Sequence, residues 1–264
     1  MPRLAIIGCG ALGTILVEHL EKAGDWTLTG VMARTIEHAE RLAKVGHCKA
    51  TTDVNELLAD QPDLVVEIAG IGAAKAYGAA VLDAGCDLVV VSAGAFADPA
   101  WRDMMVKKAE ALGRRIHVAS GAIGGFDVLR TAALMGVDEV TIASTKSPKS
   151  LAGAPGLGDR VLSTTEEEIA FEGAVEEAVK GFPKNVNVAA ATAFATESQD
   201  LVVRVVSQPG LTENTHRITL KAGTLRTDLT FASSFDPTNP RSSVSTAWSV
   251  LALLKNLRSP LSFF

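Results

Sequence analysis

The sequence predicts an α/β fold, with a doubly wound parallel sheet first and a second α+β domain, built on a mostly antiparallel sheet, after it. Up to about residue 120, short apolar runs alternate with segments of helical periodicity, which is typical of parallel strands joined by helices. From residue 137 onward, strand-like runs follow one another across turns, which is typical of antiparallel pairing. The length of 264 residues exceeds what one core usually serves, so two domains are expected.

The most informative motif is a glycine loop near the N-terminus. The apolar run Leu4–Ile7 leads directly into Gly-Cys-Gly-Ala-Leu-Gly, and helical periodicity follows at once. In this setting Gly8 permits a tight turn, Gly10 lets the backbone approach a pyrophosphate, and Gly13 lets the helix pack closely on the strand. The motif favours a Rossmann-type dinucleotide-binding domain over a purely structural turn. The expected cofactor contacts in this loop are Gly8, Gly10, Ala11, Leu12 and Gly13.

The end of the second strand bears on the choice between NAD and NADP. In NAD-binding domains of this type an acidic residue about twenty positions past the glycines accepts the ribose hydroxyls, whereas a nearby Arg can accommodate a 2′-phosphate. Here the strand Leu28–Met32 is followed by Ala-Arg-Thr, and no acid stands at its end. Arg34 is therefore either an NADP contact or an exposed arginine at a helix start. Because Glu37 lies close by, NAD and NADP both stay open.

The remaining elements of the first domain follow from the same alternation. Strands are expected at Leu4–Ile7, Leu28–Met32, Asp63–Ile68, Asp87–Val91 and Arg115–Ala119. Helices are expected at Thr14–Ala23, Glu37–Lys44, Val54–Ala59, Ala73–Ala84 and Pro99–Leu112. Small residues follow the third and fourth of these strands, and small side chains let a loop lie against a ligand at the carboxyl edge of an open α/β sheet. Ala69 and Ala93 are therefore further candidate cofactor contacts.

The second domain is expected to span residues 121–239, after a dinucleotide-binding domain of residues 1–120. Its predicted strands are Val137–Lys146, Leu201–Val206, Thr215–Ala222 and Leu225–Ala232. Ser147–Asp159, with two prolines and three glycines, is expected to be a loop, whereas the acidic run Glu166–Glu168 and Glu172 are expected to open a helix, and Val188–Phe194 to form an apolar helix. The last segment, 240–264, contains an apolar-faced helix over Val244–Leu257 that is expected to pack back on the first domain.

The composition excludes several classes of protein. A formal net charge of -5 argues against a nucleic-acid-binding surface or an anionic membrane surface, so a small-molecule partner is expected. No apolar run approaches the roughly 18 residues that a membrane helix needs, and the N-terminal run is too short for a signal peptide. Cys9, Cys48 and Cys86 are odd in number and suit free, buried thiols in a reducing compartment, so a cytoplasmic location is expected. The five histidines have no metal-ligand spacing, and no metal site is predicted.

Candidate chemistry is concentrated in the second domain. His216 lies near the start of a predicted strand, just after a turn, where it could face a cleft as a general acid or base or be a hydrogen-bonded strand histidine. Asn187 precedes an apolar helix and is either its N-cap or a partner for a nicotinamide carboxamide, since an amide both donates and accepts. Five cations are available for an anionic substrate, and most must be ordinary surface charge: Lys146, Lys149, Lys184, Arg217 and Arg241.

Taken together, the motifs resemble the L-aspartate dehydrogenase family. The resemblance spans the whole chain in order and is most specific in the Phe-Pro-Lys-Asn-Val-Asn block at 182–187 and the Asn-Thr-His block at 214–216. Further matching blocks are 8–13, 92–95, 120–127, 171–174 and 239–243. The resemblance implies that His216 is the active-site residue and that Ala122 and Asn187 contact the cofactor.

The resemblance further implies reversible oxidative deamination of L-aspartate to oxaloacetate and ammonia through iminoaspartate, with NAD or NADP as cofactor. Iminoaspartate released before hydrolysis would feed NAD biosynthesis, and a homodimer formed through the second-domain sheet is the expected assembly. Two alternatives remain on the sequence: another amino-acid or semialdehyde dehydrogenase or imine reductase on the same fold, and a non-catalytic module that senses the dinucleotide.

Overall fold

A computed structural model describes residues 1–183, 187–234 and 243–263. Contacts divide the chain into two compact units, of which the first contains residues 1–119 with 246–263 and the second contains residues 120–245. The first unit holds a six-stranded sheet and the second a five-stranded sheet. The predicted fold class is confirmed, because the pairs of the first sheet are all parallel and the second sheet has three antiparallel pairs and one parallel pair.

The first unit alternates strands with helices. Its strands are β1 (Arg3–Ile7), β2 (Thr27–Met32), β3 (Lys49–Thr51), β4 (Leu64–Glu67), β5 (Asp87–Val90) and β6 (Ile116–Val118). Its helices are α1 (Ala11–Ala23), α2 (Ile36–Val45), α3 (Val54–Leu58), α4 (Ile71–Asp83) and α5 (Pro99–Leu112). The strand order β3-β2-β1-β4-β5-β6 reverses direction between β1 and β4, and ligands of open α/β sheets bind at the carboxyl ends of the strands at such a point.

The core of the first unit is built by strands that are buried on both faces. Leu4, Ile6 and Val66 are fully buried, which explains why β1 and β4 are nearly continuous apolar runs rather than alternating ones. The last helix of the chain, α10 (Ser245–Arg258), belongs to this unit, where Val250 and Leu254 lie in the same core cluster as β1.

The strand β3 was not predicted. It has three residues, Lys-Ala-Thr, and pairs with β2 at the edge of the sheet. Its two outer residues are polar, so neither a buried apolar run nor an alternating pattern long enough to read marks it in the sequence. The five-strand expectation for this sheet was wrong for that reason.

The second unit packs helices against its five-stranded sheet. Its strands are β7 (Glu139–Lys146), β8 (Glu168–Gly173), β9 (Val202–Ser207), β10 (Glu213–Ala222) and β11 (Leu225–Ser234). Its helices are α6 (Phe126–Met135), α7 (Pro148–Leu151), α8 (Val175–Gly181) and α9 (Asn187–Thr196). The strand order is β11-β10-β7-β9-β8. Burial alternates along β7, β9 and β10, so one face of the sheet is covered and the other is more open.

Two local expectations in this unit were wrong. The segment Ser147–Asp159 contains the short helix α7 and a 3₁₀ turn at Pro155–Leu157, because the Ser147 hydroxyl accepts from the backbone N–H of Ser150 and caps α7. Residues Glu168 and Glu172 lie in β8 rather than at a helix start. Glu172 pairs with Arg204 across the β8–β9 ladder, and this long-range pairing outweighs the local preference of acidic residues for helix starts.

Some candidate residues lie outside the part of the chain that the structure describes. These are Lys184, Asn185 and the first four residues of the block at 239–243, including Arg241. Among the described helices, none has the length and apolar character required to cross a membrane.

Candidate active site

The glycine loop is shaped by close backbone packing. Gly8 has a φ of +128°, and a Cβ built there would lie 2.8 Å from the backbone of Ile68. A Cβ on Gly13 would lie 2.1 Å from the Gly8 carbonyl oxygen, so α1 packs on the loop only because Gly13 has no side chain. Gly10 differs from both, since among the described residues no atom outside its chain neighbours and its own helix backbone lies within 4 Å of its Cβ position. The space in front of Gly10 is therefore free for a ligand.

The first turn of α1 offers unpaired backbone N–H groups next to that space. Gly10 caps the helix without a side-chain hydrogen bond, and the first turn holds no acidic residue. The helices α3 and α5 are different, because Asp53 and Asp98 accept hydrogen bonds from the N–H groups of their first turns. A helix start that lacks its own acceptor and is approached closely through glycine is suited to a dinucleotide pyrophosphate. The loop thus fits an NAD(P) cofactor.

The other residues expected to contact the cofactor in this unit lie at the same edge of the sheet. Arg34 is exposed just beyond the end of β2, Ala69 is half-buried after β4, and Ala93 is buried after β5. The strands β2, β1, β4 and β5 are neighbours in the sheet, and all run parallel. The fold therefore brings Arg34, Ala69 and Ala93 to the edge that carries the glycine loop.

A buried carboxylate, Glu67, fixes the loops on this edge. Its Oε1 accepts hydrogen bonds from the backbone N–H groups of Ala69 and Gly70 at 2.8 Å and from the Ser92 hydroxyl at 3.0 Å, while Oε2 accepts from the Ser92 N–H at 3.2 Å. Burial raises the pKa of Glu67, and these four donors oppose that rise. Glu67 thereby ties the loop after β4 to the loop after β5.

The cysteines of this unit have no reactive character. Cys9 donates to the Met32 carbonyl at 3.5 Å, which joins the glycine loop to the end of β2. Burial raises the pKa of Cys9, Cys48 and Cys86 to about 11, so each thiol stays protonated near neutral pH.

His216 lies inside β10 with 6% of its surface exposed. It pairs with Ser144 of β7 in the strand register, and the Ser144 hydroxyl lies 2.8 Å from His216 Nδ1. Burial is the larger cause, and the ammonium of Lys146 the smaller one, of a fall in the pKa of His216 to about 3. The imidazole is therefore neutral near neutral pH, and its Nδ1 is engaged by Ser144.

The loop that carries Ala122 packs on the same sheet face as His216. Phe231 of β11 is the register partner of His216, and the Cβ position of Gly124 lies 3.4 Å from the Phe231 ring. Ala122 itself is half-buried in the turn before α6. Asn187 is exposed and is the first residue of α9, which packs against α6. Ala122 and His216 thus lie on one side of the second sheet, and Asn187 lies on the helix that packs against α6.

The described candidate cations lie in different surroundings. Arg217 points away from His216, because neighbours along a strand face opposite sides, and it forms an ion pair with Asp228. Lys149 is exposed on α7. Lys146, two residues beyond Ser144 on β7, lies on the same face as His216, and burial lowers its pKa to about 8.

Three polar residues at these sites were not recognised from the sequence. A charged residue that ends the buried run Leu-Val-Val-Glu is a usable signal, and it would have pointed to Glu67. Ser144 and Ser207 give no comparable signal, since their importance depends on which strands pair and in which register.

Two family models match separate parts of the chain. Residues 8–119 match the NAD-binding domain of homoserine dehydrogenase, and residues 127–257 match the C-terminal domain of aspartate dehydrogenase. With the glycine loop, the uncapped helix start and the parallel sheet, these matches define an NAD(P)-dependent oxidoreductase.

Full-length relatives give the family. The L-aspartate dehydrogenase of Methanospirillum hungatei is 33% identical over 261 residues, which cover 99% of this chain and 98% of that protein. That of Methanothermobacter thermautotrophicus is 34% identical and covers 96% of this chain and 95% of its own. The crystal structure of the aspartate dehydrogenase of Thermotoga maritima matches with a TM-score of 0.76 at 26% identity, over 100% of both chains. The chain belongs to the L-aspartate dehydrogenase family, and the expected resemblance is confirmed.

Proposed function

We propose that this protein catalyses the NAD(P)-dependent oxidative deamination of L-aspartate to oxaloacetate and ammonia through iminoaspartate, with His216 as the general acid and base. Its membership of the L-aspartate dehydrogenase family supports the reaction. The observation that carries the role of His216 is its buried hydrogen bond with Ser144, at 2.8 Å.

The hydrogen bond with Ser144 suits His216 to proton transfer. When Nδ1 carries the proton, it donates to Ser144 Oγ, and Nε2 keeps a free lone pair. Nε2 then accepts a proton from the water that attacks the imine carbon of iminoaspartate. The same nitrogen returns the proton to the amine, and as the C–N bond breaks the hydroxyl of the carbinolamine gives its proton to the departing ammonia and becomes the oxaloacetate carbonyl. Burial disfavours the charged imidazolium, so the free protein holds His216 in the neutral form that can accept the proton from water.

The cofactor, when bound, accepts the hydride from the substrate Cα, and this chemistry belongs to its nicotinamide. The residues proposed to hold it are those predicted from the sequence. Ala11, Leu12 and Gly13 would hold the pyrophosphate through backbone N–H groups at the start of α1, and Gly8 and Gly10 would shape the turn that lets it approach. Arg34, Ala69 and Ala93 would contact the cofactor along the same sheet edge, and Ala122 and Asn187 would orient the nicotinamide.

The direct test is aspartate-dependent formation of NADH or NADPH by His216→Ala. A general acid and base usually contributes about 10²–10⁴ to the rate, so kcat should fall by at least 100-fold. Because His216 is buried, His216→Asn, which retains a polar side chain, and a measurement of NADH binding show whether a variant is still folded. His38→Ala, on the exposed surface of α2, should leave the rate unchanged. A folded His216 variant whose rate stays within about tenfold of wild type would refute the assignment.

We further propose that the protein is a cytoplasmic homodimer. The free thiols of Cys9, Cys48 and Cys86 support a reducing compartment. Ile169 of β8, half of whose surface is exposed, pairs with the half-buried Val206 of β9, so the outer face of the second sheet has apolar surface to offer a second copy. Sedimentation velocity at micromolar concentration tests the assembly, and a monomer would refute it.

A further inference from the structure

Four polar residues occupy one end of the covered sheet face in the second unit. Ser144 and Lys146 alternate along β7, so their side chains point to the same face, and the strand register sets His216 opposite Ser144 and Ser207 beside Lys146. The rows further along this face are apolar, with Ile142, Ile218 and Val203 all buried. We call Ser144, Lys146, Ser207 and His216 the polar cluster.

Lys146 brings a positive charge into this cluster without a matching acid. No described Asp or Glu lies within 4.0 Å of its ammonium nitrogen, whereas Arg217 on the opposite face is paired with Asp228. Burial alone accounts for the fall in the pKa of Lys146. A largely buried ammonium is costly unless an anion compensates it.

Ser207 is a second unsatisfied group at the same place. It is fully buried, and its hydroxyl has no hydrogen-bond partner among the described residues. Buried hydroxyls nearly always have one. An ammonium and a hydroxyl on adjacent strands can both donate to one carboxylate. His216 in the next row is neutral, so it does not repel such an anion.

We infer that Lys146 binds a carboxylate of the substrate, with Ser207 as a second donor, and that it is a specificity determinant for a dicarboxylic amino acid. This inference rests on the proposed function, which supplies a substrate with two carboxylates. Lys146 contributes charge to substrate binding and takes no part in the proton transfers. Neutralising Lys146 in the complex also removes one cause of the low pKa of His216, so a bound carboxylate favours the uptake of the proton from water by His216.

The test combines kinetics with binding of succinate, which has two carboxylates and no amine. Lys146→Met keeps the length of the side chain and removes the charge. In the presence of NADH, the Kd for succinate should rise about 30-fold or more, and the KM for aspartate should rise similarly, because truncating a buried charge pair removes binding in ground and transition states alike. The kcat should stay within about threefold. Lys146→Arg should restore part of the affinity.

Matched controls make the result specific. Lys149→Met, three positions along the chain and exposed, should change neither constant. Succinamide, which has the shape of succinate without its charge, should bind wild type and Lys146→Met equally. The inference is overturned if a folded Lys146→Met keeps the wild-type Kd for succinate, or if it loses kcat with an unchanged KM. A wild-type protein that forms no NADH or NADPH from aspartate would instead refute the proposed function.

Discussion

The glycine loop of the first unit and the polar cluster of the second both contain polar groups that have no partner among the described residues. These groups belong to the backbone in the loop and to side chains in the cluster. The loop uses backbone N–H groups at the start of α1, and its side chains are absent or small. In the cluster, the Lys146 ammonium has no acidic partner and the Ser207 hydroxyl no hydrogen-bond partner among the described residues, whereas Ser144 and His216 bond to each other. Backbone dipoles can bind an anion but cannot exchange protons near neutral pH. The loop is therefore suited to hold a cofactor, and the cluster to recognise and protonate a substrate.

A pair of glycine variants should show the largest effect and separates packing from binding within the loop. Gly13→Ala forces a Cβ to 2.1 Å from the Gly8 carbonyl, and we expect it to lower the free energy of unfolding by about 3 kcal/mol or more. Gly10→Ala places its methyl group in open space, so stability should stay within about 0.5 kcal/mol. Denaturant unfolding measures the free energy of unfolding of both variants.

The folded Gly10→Ala variant also tests cofactor binding. Fluorescence titration with NADH should show a Kd at least about tenfold higher for folded Gly10→Ala, since the methyl group would occupy the space of the pyrophosphate. An unchanged Kd would mean that the space before Gly10 is not the cofactor site and that the loop is only a turn.

Replacing Arg34 tests whether the loop edge discriminates between dinucleotides. If Arg34 pairs with a 2′-phosphate, Arg34→Ala should lower the ratio of kcat/KM for NADP to that for NAD by about 20-fold, because a charged hydrogen bond is worth about 1.5–3 kcal/mol. Lys44→Ala, also exposed and on α2, is the control. An unchanged ratio of kcat/KM for NADP to that for NAD would show that Arg34 does not contact the 2′-phosphate and is an ordinary surface residue.

The pH dependence of succinate binding tests the titrating character of the polar cluster. Lys146 has a pKa of about 8 and must be protonated to bind, so the Kd should change little near pH 7 and rise through pH 8 as the ammonium loses its proton. Between pH 7 and pH 9 we expect an increase of about tenfold. His216, the described titratable neighbour of Lys146, is neutral across this range. Isothermal titration calorimetry provides the measurement, and Lys146→Met should show no such rise.

The smallest expected effect concerns the orientation of His216. Ser144→Ala removes one hydrogen bond worth about 1 kcal/mol, so kcat should fall about fivefold with little change in the KM for aspartate. Thr145→Val, on the opposite face of β7, removes a hydroxyl without touching the cluster and should be silent. Equal rates for the two variants would show that Ser144 does not position the imidazole.

Local patterns determined most of the secondary structure. Pro99–Leu112 was predicted to the residue, and in the structure Asp98 caps the start of that helix and Gly113 ends it in a left-handed conformation. The wrong predictions concern residues whose secondary structure depends on pairing with a distant strand. The strand β3 pairs with β2, and Glu172 of β8 pairs with Arg204 of β9. Neither partner lies within the local window on which such a prediction depends.

The sequence by itself determined the dinucleotide loop, the fold class and the family, because each is encoded in contiguous residues whose spacing has a local physical meaning. It also singled out His216 and included Lys146 among five cations. Only the tertiary structure separated Lys146 from Arg217 and set Ser144 and Ser207 beside it, and it showed Glu67 tying two loops together. These relations depend on strand register and burial, which join residues up to 72 positions apart.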